Sequence, residues 1–160
     1  MGLDMYLYLR KEEYKSKSEF RNQEITDLYP TELKSFEKDI LDRNFASRSV
    51  KTDYQVGYWR KANAIHKWFV DNCADGEDNC QPIYVPIDKL KELRNLCNRV
   101  LQNKEKANEL LQTEDGFFFG TTDYDEWYFR DLEYTKQLLD KVIVFIDSNN
   151  DYEAIYQASW

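Results

Sequence analysis

The sequence predicts an α+β fold: a mostly antiparallel sheet that includes strands at both ends of the chain, covered by helices. Three observations predict it. Leu3, Met5, Leu7 and Leu9 alternate with Asp4, Tyr6 and Tyr8, the period of two of a half-buried strand. Tyr152, Ala154, Tyr156, Ala158 and Trp160 repeat that alternation at the other end. Between them apolar residues recur at helical spacing, most clearly Leu90, Leu93, Leu96, Cys97, Val100 and Leu101.

At 160 residues the chain is long enough for one domain over 1–160 with a real core, and short for two. Charged residues reach 32% and Gly and Pro are few, which points to a soluble globule rather than a disordered chain. No apolar run approaches the ~20 residues of a membrane span. The opening MGLDMYLYLR lacks the basic and apolar regions of an export signal, so a cytoplasmic location is expected. Cys73, Cys80 and Cys97 have neither disulfide-framework nor zinc spacing. A trio of His66, Cys73 and Cys80 is conceivable for zinc but lacks a recognised pattern, so no metal and no cofactor are assigned.

The elements follow in order. Residues 10–26 are polar and read as an exposed connection. After Pro30, Leu33, Phe36, Ile40 and Leu41 share one face of a short helix beginning near Thr31. Ser47–Gln55 reads as a second strand, leading into a central helix over Val56–Asn72. On that helix Ala62, Ile65, Phe69, Trp59 and His66 form one stripe, with Arg60, Asn63 and Lys67 opposite. Ala74–Asn79 is a loop by composition and lacks the ligand spacing of a calcium loop. Pro82–Pro86 is extended, and Asp88 reads as the N-cap of the next helix. Lys104–Leu111 is a weaker helical piece, and Gly116–Gly120 a short strand. Thr122 with Asp125 resembles a capping box opening a helix that runs to about Phe145.

Charge is unevenly placed. The net charge is −8, and residues 113–160 alone hold eleven Asp/Glu against three Lys/Arg. One face should be strongly electronegative, either as a solvated surface or as one directed at a partner. Against that background Val56–Asn72 stands out. It carries two of the four Trp, the only His, and Arg60, Lys61 and Lys67, with no acid between 57 and 70.

Three blocks, MGLDMYLYLR, VGYWRKANAIHKWFV and GFFFGTTDYDEWYFRDL, with the aromatic ending YQASW, resemble a widespread family of small, largely uncharacterised bacteriophage and prophage proteins. The resemblance covers most of the chain, least in residues 11–50, and brings no catalytic mechanism. It implies a setting: an accessory phage protein made in a bacterial host, where countering host defence is a common role.

Enzyme motifs are lacking: there is no Gly-x-Ser-x-Gly, His-Glu-x-x-His, phosphate loop or Gly-x-Gly-x-x-Gly. Asp123, Asp125 and Glu126 could hold a magnesium ion, but acids in a first helical turn complement the positive helix end, which explains them without a metal and is the preferred account. Ligand binding fits better. Phosphate-bearing ligands need cations or backbone N–H groups, and bases need aromatic faces. The candidate binding set is Tyr58, Trp59, Arg60, Lys61, Asn63, His66 and Lys67, joined by Thr121, Thr122, Asp123 and Tyr124 at a helix start. The leading expectation is therefore a non-enzymatic protein that sequesters an anionic, nucleotide-like small molecule as a counter-defence device. A homo-oligomer with sites between protomers is compatible with that role. The alternative is an acidic inhibitor whose 113–160 face mimics nucleic acid and occupies a basic host protein such as a nuclease. A nucleotide phosphodiesterase or related hydrolase is third. Long nucleic acid is not an expected ligand, because the chain lacks a broad basic surface.

Overall fold

The computed structural model describes residues 2–16, 33, 47–116 and 119–160. The connection over 17–26, the expected helix from Thr31 to Leu41 apart from Leu33, and Phe117–Phe118 lie outside the described residues. Four strands, β1 (Asp4–Ser16), β2 (Ser47–Arg60), β3 (Ile83–Val85) and β4 (Tyr152–Ser159), form one antiparallel sheet in the order β2-β1-β4-β3. Its two central strands are the first and last of the chain. β3 pairs with β4, Ile83 opposite Tyr156 and Val85 opposite Ala154. Among the described residues the helices are α1 (Asn63–Cys73), α2 (Ile87–Gln102), α3 (Ala107–Leu110), entered through a 3-10 turn over Lys104–Lys106, and α4 (Glu126–Ser148). None is long and apolar enough to cross a membrane among the described residues.

Two compact units are distinguishable: Met1–Arg10 with Asp53–Trp160, and Lys11–Thr52. The first holds the core. Leu3, Met5 and Leu7 are wholly buried, with Ile65 and Phe69 from α1, Leu90, Leu93 and Cys97 from α2, and Leu132 and Leu139 from α4. Phe69 stacks on Tyr156 with ring centroids 4.1 Å apart. α2 and α4 run antiparallel, as their cross-pairs show: Arg94 Nε lies 2.6 Å from Asp140, and Lys91 Nζ 3.6 Å from Asp147. Hydrogen bonds from Lys136 and Arg94 hold the Asp140 carboxyl below its usual range. In the second unit Ser49 Oγ donates to Glu12 and Lys51 Nζ lies 3.5 Å from it, while Tyr14 and Val50 are exposed.

Several boundaries differ from those read in the sequence. β1 runs on to Ser16 instead of giving way to a connection after Leu9, because a charged partner strand supports it; Arg10 pairs with Asp53 at 2.7 Å. The stretch 56–72 is not one helix. β2 continues to Arg60 and α1 starts at Asn63, so Tyr58, Trp59 and Arg60 belong to a strand. Pro86, not Asp88, precedes the first residue of α2, and Asp88 sits in its first turn. Asp125, not Thr122, caps α4, accepting from the N–H groups of Trp127 and Tyr128 at 3.0 Å each. Such a cap satisfies orphan donors that Thr122 is too far upstream to reach. Among the described residues of Gly116–Gly120 there is a turn and not a strand, closed by the Phe119 N–H on the Gly116 carbonyl.

Candidate functional site

The site is built on the junction between β2 and α1. Lys61 adopts a left-handed backbone (φ 61°), its N–H donating to the Leu3 carbonyl at 2.8 Å. That conformation turns the chain out of the strand, and the Asn63 N–H then bonds the Lys61 carbonyl. The loop before α4 is drawn against this junction. Gly120 (φ +89°) sits so close that a Cβ there would come within 3.2 Å of the Lys61 Cβ.

Asn63 fastens the loop. Its side-chain N–H group donates to the carbonyls of Phe119 (3.0 Å) and Thr121 (2.8 Å), and its oxygen accepts from the Glu114 N–H (3.2 Å). The side chain is buried and all these bonds are to backbone. Asn63 is thus a positioning residue for the residues around it.

Between the start of α1, this loop and the first turns of α4 lies a cavity of about 50 Å³. Lys61, Asn63, Thr113, Thr121, Asp123, Asp125, Trp127 and Asp131 line it. Asp125, Tyr128 and Asp131 are three residues apart on one face of α4, which aims them together. Thr121 Oγ1 donates to Asp123 (2.8 Å) and accepts from the Asp123 N–H (3.1 Å), fixing that carboxylate. Trp127 is 67% exposed at the rim, with the Arg130 guanidinium 5.0 Å from its ring centroid.

Three carboxylates therefore share the cavity with one ammonium. Lys61 makes no ion pair among the described residues. The uncapped N-terminus of α1 adds roughly half a positive charge, which leaves the balance negative. Burial, and then the neighbouring Asp125 charge, push the Asp131 carboxyl up to about 6.

The remaining expected binding residues scatter. Trp59 is core, its indole N–H donating to Thr135 Oγ1 at 2.8 Å. Tyr58 is 42% exposed and donates to Asp4, and Arg60 is exposed without an ion pair among the described residues. His66 is 1% exposed and hydrogen-bonded to side chains, Tyr156 and Asp78, rather than to backbone. Lys67 lies 2.8 Å from Asp71 and 3.8 Å from Glu114, beside a separate concavity of about 300 Å³ that Trp68 also lines. Thr122 offers its carbonyl to Thr113, and Tyr124 donates to Asn108. Lys61, Asn63, Thr121 and Asp123 are brought together; the others are not.

Thr113, Trp127 and Asp131 are not among the residues anticipated as binding groups, and Asp125 is anticipated only within the candidate magnesium cluster and as part of the capping box. The signal for the acids was present, in the i, i+3, i+6 spacing of Asp125, Tyr128 and Asp131 within the most acidic part of the chain. Among the described residues no group of three or more His, Cys, Asp or Glu side chains could hold a metal ion. Comparison of the chain with protein-family models, curated proteins and solved structures found no match.

Proposed function

We propose that this chain is a non-enzymatic binding protein whose acidic 113–160 face receives a basic protein, with one lysine or arginine head group of that partner seated in the pocket beside α1. One observation carries the reading: three carboxylates line a small cavity, next to an exposed indole, with one ammonium among the lining residues. Size argues the same way. About 50 Å³ suits a single cationic head group, whereas small-molecule sites commonly occupy ~300–1,000 Å³. An incoming cation gains Coulomb attraction from the carboxylates and a π face at the rim. In the phage setting, such a face would engage a host protein that normally holds nucleic acid.

Titration calorimetry with a lysine- and arginine-rich peptide tests this. Binding should weaken steeply with salt, and Asp123→Asn combined with Asp131→Asn should weaken it by about tenfold or more. Equal affinity of the wild type and the double variant would remove the reading.

A second reading, sequestration of a nucleotide-like anion, is favoured by Arg60 and Lys61, exposed and without an ion pair among the described residues, and by the cavity beside Lys67 and Trp68. It predicts that linear or cyclic adenine nucleotides raise the melting temperature by mass action. The basic-partner reading predicts no such rise.

A further inference from the structure

We infer that a separate groove on this chain binds an unbranched aliphatic monocarboxylate. The groove lies between the sheet and the C-terminal half of α4, has a volume of about 500 Å³, and shares no lining residue with the pocket beside α1. Leu9, Val56, Leu138, Val142 and Phe145 give it an apolar wall, and the exposed Lys141 also lines it.

The sequence explains why a groove opens there. Gly57 faces Leu138 so closely that a Cβ would lie 2.4 Å from the Leu138 Cδ2. Val56, its neighbour in β2, lines the groove with Leu138. The close approach at Gly57 is followed by larger side chains that hold strand and helix apart. The α4 residues concerned span two helical turns, about 10 Å. A linear chain lying along that wall would contact its whole span.

Charge selects the head group. Lys136 is paired with Asp140, and Lys91 with Asp147, but Lys141 has no ion pair among the described residues. It is exposed, and the rest of the lining is apolar or tyrosyl. A carboxylate at one end of an aliphatic chain satisfies both features: methylenes in the groove, anion on the ammonium. The volume falls within the ~300–1,000 Å³ of small-molecule sites.

Calorimetry with octanoate, nonanoate and decanoate, each below its micellar concentration, tests the assignment on the full chain. Each methylene should tighten binding about 4-fold. Decanoate should bind several-fold better than decylamine, and Lys141→Glu, a change at an exposed position, should reverse that order. Methyl resonances of Leu9, Val56, Leu138 and Val142 should shift on titration. Absence of binding, affinity independent of chain length, equal affinity for acid and amine, or shifts confined to other methyls would each overturn the inference. So would a sedimentation result in which the chain is a dimer that buries these methyls.

Discussion

The imidazole of His66 bridges two residues distant in sequence: its Nδ1 lies 2.7 Å from the Tyr156 hydroxyl and its Nε2 3.0 Å from the Asp78 carboxylate. A carboxylate only accepts, so Nε2 carries the proton and, in the neutral ring, Nδ1 accepts from Tyr156. Asp78 also receives the Trp160 indole N–H at 3.2 Å. One histidine thereby ties α1, the loop after it and the C-terminal strand together, and its burial beside Phe119 and Tyr156 gives it a packing role instead of a ligand role.

Tyr156→Phe should therefore destabilise the protein by about 1–3 kcal/mol, because it leaves a buried ring nitrogen without its donor while changing little volume. Urea denaturation checks this. A loss below a few tenths of a kcal/mol would show that the hydrogen bond contributes nothing.

Asn63→Ala should release the loop that closes the pocket. Three bonds to Phe119, Thr121 and Glu114 disappear, and those backbone groups become unsatisfied or rehydrated. The expected cost is about 2–3 kcal/mol, with faster amide exchange at Glu114 and in the residues around Thr121. Unchanged exchange there would contradict the positioning role.

Gly57→Ala should cost about 1–3 kcal/mol through overpacking, since the added methyl collides with Leu138 and approaches the Leu7 Cβ at 3.2 Å. Pairing it with Leu138→Ala should recover part of the loss. No recovery in the double variant would contradict a local clash.

Asp131 sets a pH dependence. Its folded-state value of about 6 lies above the ordinary 3.8, so between the two the folded protein holds a proton that the unfolded chain has released. This contribution is fully present below the ordinary value and is lost as pH rises through about 6. Allowing for solvent screening of a half-buried group, the loss is about 1–2 kcal/mol. Asp131→Asn should be more stable than the wild type by that amount at neutral pH, and the advantage should vanish in acid. An advantage that persists below the ordinary carboxylate range would show that desolvation of the charge is not its source.

Much of the fold was legible in the sequence. The two-residue alternation marks β1, where Leu3, Met5, Leu7 and Leu9 form the buried face, and β4, where Ile155 on the opposite face is buried as well; α2 shows its core face plainly. The junction at Lys61 was not legible. A two-residue passage from strand to helix, made by a left-handed lysine with no Gly or Pro to mark it, leaves the helical wheel free to run back through Trp59. Trp59 is apolar in either reading, so burial alone could not separate them. The pocket was half legible: Lys61, Asn63, Thr121 and Asp123 were among the expected residues, but the arrival of α4 beside α1 is a tertiary event. Local spacing shows that Asp125 and Asp131 share a face; it cannot show what that face meets.

The most direct test of the basic-partner account is the titration of the Asp131 side-chain carbon signal by NMR, without and with a saturating lysine- and arginine-rich peptide. The account predicts a midpoint near 6 in the free protein that falls by about one unit or more when a cationic head group enters the pocket. A midpoint that stays where it was, with the peptide demonstrably bound, would contradict it.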